Sequence, residues 1–120
     1  MEQVSKGRIL VVEDDAAVGR FIIRVLEAAG YDAVLASESE AAAAAIREHA
    51  VDLVVSDIVL GTRDGHDVAE ELRAIQPEVK IVFMSGYGAS RYGSLPDDPV
   101  VPKPIDAAQL VARIEQELRD

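Results

Sequence analysis

The stretch Ile9-Leu10-Val11-Val12-Glu13-Asp14-Asp15 joins four consecutive apolar residues to three consecutive carboxylates. A short apolar run bounded by polar residues reads as a strand buried on both faces, as in a parallel sheet. Two further runs share this form: Leu53–Ser56 leads into Asp57, and Val100-Val101-Pro102 leads into Lys103. In open α/β sheets, ligands collect outside the carboxyl ends of the strands. Acidic groups from two strand ends and a lysine from a third should therefore meet at one edge.

Working outward, strand-like and helix-like segments alternate, which is the pattern of a parallel α/β sheet. After the first strand (Arg8–Val12), a helix over Ala16–Ala29 puts Val18, Phe21, Ile22, Val25, Leu26 and Ala29 on one stripe, and Gly30 supplies its stop. Asp32–Ala36 reads as the second strand. Ser37 with Glu40 has the form of a capping box for the alanine-rich helix that runs through His49. Beyond the third strand and a Gly61–Gly65 loop, Val68, Leu72 and Ile75 mark a third helix ended by Pro77. Ile81–Met84 is the fourth strand and Val100-Val101 the fifth; Asp106 with Gln109 caps a last helix carrying Leu110, Val111, Ile114 and Leu118. Between the last two strands, Gly86–Pro99 has three glycines, two prolines and no helical period. The expectation is a single α/β domain, 1–120 with its core at about 8–118, built as (βα)5 with a fourth helix weak or replaced by a loop.

Composition narrows the function. A formal net charge of −10, from 12 Lys+Arg against 22 Asp+Glu, argues against direct nucleic-acid or anionic-membrane binding. With no cysteine there is no thiolate metal site or Cys nucleophile, which fits a reducing cytoplasm. No apolar stretch approaches the roughly 18 residues of a membrane span. The opening MEQVSKGR carries no signal-peptide core. GxGxxG and GxxxxGK[ST] loops are absent. His49 and His66 read as solvated surface.

The acidic edge calls for a cation. Two carboxylates about 4 Å apart repel by on the order of 4 kcal/mol at an effective dielectric of 20, so several on one edge demand protonation or a metal. Carboxylates alone suit calcium as well as magnesium. Lys103 favours magnesium, because a lysine beside a cation site is sensible only if an anion comes too. The Ser85 hydroxyl can donate to a phosphate-like oxygen, and Gly86 lets an anion approach the backbone. Pro104 restricts Lys103 to extended conformations and allows a cis bond. Asp57 is then a nucleophile for phosphoryl transfer, with Ser85 and Lys103 holding the phosphoryl oxygens.

In order and spacing, ILVVEDD, DLVVSDIVLGTRDG, IVFMSGYG and VVPKPI resemble a response regulator receiver domain of two-component signalling, over Arg8 to Leu118. The resemblance implies a doubly wound parallel five-stranded sheet of flavodoxin-like order 2-1-3-4-5. It implies that Asp57 accepts phosphate from a histidine kinase or phosphotransfer protein, with slow self-catalysed transfer and hydrolysis rather than true enzymatic turnover. Asp14 would ligate Mg2+ directly, Glu13 through water, and the Val59 backbone carbonyl would complete the protein ligands beside Asp57. Ser85 would follow the phosphoryl group and Lys103 contact it. Asp15 matches no ligand of the family and reads as a helix cap. Asp64-Gly65 has a structural role in the loop turn. The output protein is not named by the sequence, and Met1 with no linker leans toward a stand-alone regulator.

Three departures stand out. Val100 occupies the position that usually holds the Tyr or Phe of the switch. The spacing from Ser85 to Lys103 is short, with FMSGY at Phe83–Tyr87 similar to an FATGY motif, and Gly61 replaces a common proline. The segment Tyr87–Pro99 is expected to be a mobile loop that orders on phosphorylation or docking, with Tyr87 a candidate to replace the switch aromatic. Val59 and Tyr87 sit where hydrolysis is tuned, so a fairly long-lived phosphoryl group is expected. The alternatives are a haloacid-dehalogenase-type phosphatase, which wants an Asp where Val59 stands, and a phosphorylation-independent docking receiver.

Overall fold

A computed structural model describes residues 5–60, 63–86 and 99–119. Its elements are β1 (Arg8–Val12), α1 (Ala16–Ala28), β2 (Asp32–Ala36), α2 (Ser39–Glu48), β3 (Leu53–Asp57), β4 (Val59–Leu60), β5 (Arg63–Asp64), α3 (Gly65–Ile75), β6 (Lys80–Ser85), β7 (Val100–Pro102) and α4 (Ala107–Arg119). The main sheet has the order β2-β1-β3-β6-β7, with every neighbouring pair parallel. Counting only its own strands this is 2-1-3-4-5, as expected. β4 and β5 form a separate antiparallel ribbon inside the loop after β3, which the apolar pattern did not signal.

Because successive strand residues point to opposite faces, the sheet divides two cores. Leu10, Val12, Val54, Ile81 and Phe83 face α2 and α3, where they meet Ala42, Ile46, Val68 and Leu72. Ile9, Val11, Leu53, Val55, Val82 and Met84 face α1 and α4, where they meet Ile22, Leu26, Leu110 and Ile114. β3 is buried along its whole length, since it lies at the centre of the sheet with a helix layer on each side. Burying a side chain such as Ile22 or Leu26 contributes about 1.5–3 kcal/mol.

The caps set where chain direction changes. Asp15 accepts from the amides of Ala17 and Val18 and so starts α1, the role expected for it. Gly30, at φ +99°, follows the Ala29 cap and turns the chain into β2. Asp106 accepts from the Gln109 amide at the head of α4, also as expected. The Ser37–Glu40 capping box is not formed. α2 begins at Ser39 with Glu38 as N-cap and no side-chain cap bond, and Ser39 is instead buried against the core. Gly61 and the segment 87–98, which holds the expected fourth-helix replacement and Tyr87, lie outside the described residues.

Candidate functional site

Adjacent strand ends bring the ionisable groups together. Val12 at the end of β1 pairs with Ser56, and Asp57 at the end of β3 pairs with Met84 of β6. The Glu13 amide donates to Ala36 of β2 at 3.0 Å, and the Lys103 amide to Ser85 of β6 at 2.8 Å. These main-chain bonds place the last residue of β3 and the first residues beyond β1 and β7 at one edge of the sheet.

The side chains then converge. The Lys103 ammonium donates to Glu13 Oε1 at 2.8 Å and to Asp57 Oδ2 at 2.7 Å. The other Asp57 oxygen, Oδ1, accepts from the Val59 amide at 3.0 Å. Asp57 and Glu13 are buried, whereas Asp14 is exposed. One carboxylate oxygen from each of Glu13, Asp14 and Asp57 lies within 4.8 Å of the others. Glu13 Oε2 is buried without a hydrogen-bond partner among the described residues. Such an orphan acceptor is unusual in a folded protein.

The electrostatics follow from this packing. Burial raises the Glu13 carboxyl above its ordinary range; the Lys103 hydrogen bond opposes the shift and the charge of Asp57 adds to it. For Lys103, burial works to lower the ammonium pKa, but the hydrogen bonds to Asp57 and Glu13 outweigh it and the net shift is upward. Lys103 therefore stays charged and serves as counter-ion to two buried carboxylates.

Ser85 and Gly86 complete the edge. Among the described residues, the Ser85 hydroxyl makes a single long contact, 3.4 Å to the Gly86 carbonyl, which leaves it able to turn toward a ligand. A Cβ at Gly86 would stand 3.7 Å from Lys103 Cδ, so the glycine keeps open the space beside the lysine stem. The Lys103-Pro104 bond is cis. Beside it lies a groove of about 310 Å³ lined by Ala17, Val18, Phe21, Lys103, Pro104 and Ile105, with Phe21 45% exposed.

Not every sequence expectation stands. Asp57, Glu13, Asp14 and Lys103 are brought together, and Ser85 ends the adjoining strand. Val100 is half-buried and pairs with Phe83. His66, expected to be solvated, is half-buried, and its ring stacks on Phe83 with centroids 5.7 Å apart and planes 20° apart. The available signal was its place three residues before Ala69, on the margin of the buried stripe of α3. Phe83 belongs to the core, so His66 is held by packing.

An acidic edge at the carboxyl end of a parallel sheet, closed by a lysine from the last strand, defines a phosphoryl-handling α/β switch. The response regulator receiver domain family matches residues 9–115. A response regulator receiver protein, CpdR, of Brucella abortus is 34% identical over 92% of this chain and 96% of its own length. The sensor kinase CckA of the same organism is also 34% identical over 92% of this chain, which spans only 12% of that kinase. Among solved structures, a response regulator receiver protein from Sinorhizobium medicae superposes with a TM-score of 0.80 at 31% identity, covering 93% of this chain and 94% of its own. The chain belongs to the response regulator receiver domain family, the phosphorylation-based switches of two-component signalling.

Proposed function

We propose that Asp57 is the phospho-acceptor of this receiver and takes its phosphoryl group from a histidine kinase or phosphotransfer protein. The observation that carries the reading is the pairing of Lys103 with Asp57 beside a buried, incompletely satisfied Glu13. An Asp57 carboxylate oxygen attacks phosphorus, the phosphorus–nitrogen bond of the donor phosphohistidine breaks, and the leaving imidazole retains or gains a proton. Lys103, already charged at this position, then holds a phosphoryl oxygen, and the Ser85 hydroxyl donates to another.

An all-oxygen donor set with an orphan carboxylate oxygen fits magnesium. Asp14, Asp57 and the Val59 backbone carbonyl would hold it, with Glu13 acting through water. Magnesium bound there neutralises the carboxylates and the charge on the transferring phosphoryl group. Ser85 on β6 and Val100 on β7 are proposed switch positions, where an output protein would read the phosphorylated state, and Tyr87, outside the described residues, is proposed as a third.

The groove between α1 and Lys103–Ile105 is the proposed seat of the phosphodonor. It offers the apolar face of Phe21 next to the acceptor, and a donor histidine placed at Asp57 would lay its own helix over it. The acidic balance of the chain favours protein partners over nucleic acid. Among the described residues no helix is long and apolar enough to cross a membrane. We place the domain in the cytoplasm, where two-component kinases present their phosphohistidine.

Intact-mass spectrometry after incubation with magnesium and acetyl phosphate tests the reading. The expected result is a gain of one phosphate that disappears in Asp57→Asn and when magnesium is chelated. A folded, magnesium-bound protein that gains none would point instead to phosphorylation-independent docking.

A further inference from the structure

The main chain around Asp57 belongs to a closed circuit of contacts. The residue after it, Ile58, donates its amide to Met84 of β6 at 3.0 Å, and its carbonyl accepts from the amide of Gly65 at the start of α3. The next residue of α3, His66, stacks on Phe83, which is covalently joined to Met84. The path Ile58–Gly65–His66–Phe83–Met84–Ile58 therefore returns to its origin through two main-chain hydrogen bonds and one ring stack. Phe83 carries the circuit outward, since its amide donates to the Pro99 carbonyl at 2.8 Å and it pairs in register with Val100.

Every link but one is main chain. The stack is the one ring contact of the circuit, and it lies beside the apolar cluster that Ile58, Val68 and Phe83 share. Val100 cannot supply an aromatic ring on this face of the sheet, whereas Phe83, its partner in the row, already has one covered by His66. Packed interfaces of this kind hold one of two arrangements rather than deforming smoothly. Offset ring pairs are directional, and an aliphatic group does not reproduce them.

We propose that His66 is a positioning residue that couples the charge state of Asp57 to the β6–β7 edge through Phe83. The proposal rests on Asp57 being the acceptor. Its chemistry requires a flat ring on Phe83 and no proton transfer, so phenylalanine can serve in place of the imidazole. His49, exposed at the end of α2, is outside the circuit.

The test is NMR of the full chain with magnesium and beryllium trifluoride as the phosphoryl mimic. Fluorine resonances report occupancy of the acceptor, and the two histidines give separately assignable ring signals. On binding, the His66 ring signals are expected to shift and those of His49 to stay. The Val100 and Val101 amides are expected to shift as well. In His66→Leu the bound fluorine signals persist but the Val100 response is lost, and in His66→Phe it returns. An unmoved His66 ring with fluorine bound overturns the proposal, as does an undiminished Val100 response in His66→Leu. Should the leucine variant fail to fold, the wild-type ring signals decide alone. Absence of any bound fluorine would overturn the acceptor reading, and this coupling with it.

Discussion

Gly65 lies against Ile58 so closely that no side chain fits between them: a Cβ on the glycine would stand 2.8 Å from the Ile58 Cα and 2.7 Å from the Asp57 carbonyl oxygen. The colliding atoms are main chain and cannot rotate away. Gly65→Ala must therefore lift the head of α3 or displace the acceptor loop. Forced overpacking destabilises by about 1–3 kcal/mol. The urea midpoint should fall at unchanged m-value, and labelling by acetyl phosphate should slow. A wild-type midpoint would show that the approach is looser than described.

Glu13 predicts a pH dependence. Its native carboxyl pKa is raised, chiefly by burial, so the folded protein keeps a proton that the unfolded chain has released. That contribution to stability is full below the ordinary value of about 4.3 and is lost as pH climbs through the raised native value. Lys103, whose pKa is also raised, contributes stability present below its ordinary value near 10.4 and lost only above it, so it is constant across the acidic range. Metal-free wild type should lose stability as pH rises above about 4.3, and Glu13→Gln should lose less. Denaturant melts from pH 4 to 8 give the comparison; parallel curves would remove Glu13 as the cause.

Magnesium should act on the same group with opposite sign. A cation that binds only the folded state raises stability by about 2.7 kcal/mol at one hundred times its dissociation constant. Wild type should gain stability on adding magnesium, whereas Asp14→Asn and Glu13→Gln should gain much less. Equal gains in all three proteins would place the cation elsewhere.

Asp15 is a cap and not a ligand in this account, since its Oδ1 accepts from Ala17 and Val18. Asp15→Ala should reduce stability by about 0.5–2 kcal/mol and leave magnesium affinity near wild type. A large fall in affinity, measured by calorimetric titration, would move Asp15 into the metal shell.

Phe21 separates recognition from chemistry. It is 45% exposed and lines the groove beside Lys103 with an uncharged ring. Phe21→Ala should keep labelling by acetyl phosphate at the wild-type rate while slowing transfer from a phosphorylated histidine kinase. Equal slowing with both donors would argue against docking in the groove.

Much of this was legible in the sequence because its strongest signals are local. Three of the main-sheet strands are short apolar runs closed by a charged residue that marks the carboxyl edge, so Glu13, Asp57 and Lys103 could be placed before any packing was known. Asp15 and Asp106 carry their cap partners two or three residues away. What stayed hidden depends on contacts distant in sequence. Ser37 offered a good capping motif, yet burial of Ser39 shifted the start of α2 beyond it. His66 looked polar, yet the close approach of Gly65 to Ile58 carries it onto Phe83. The β4–β5 ribbon, two residues per strand, is too short to show a period.

The groove beside the acceptor has two walls of different freedom. Ala17, Val18 and Phe21 are contributed by α1, whereas Pro104 and Ile105 follow Lys103 directly in the chain. Changes on the helix wall can retune which donor is accepted without disturbing the ammonium that serves every donor. Changes on the other wall alter both at once. Divergence after gene duplication, and any engineered rewiring toward a new kinase, should therefore accumulate on α1 and leave the residues after Lys103 nearly still.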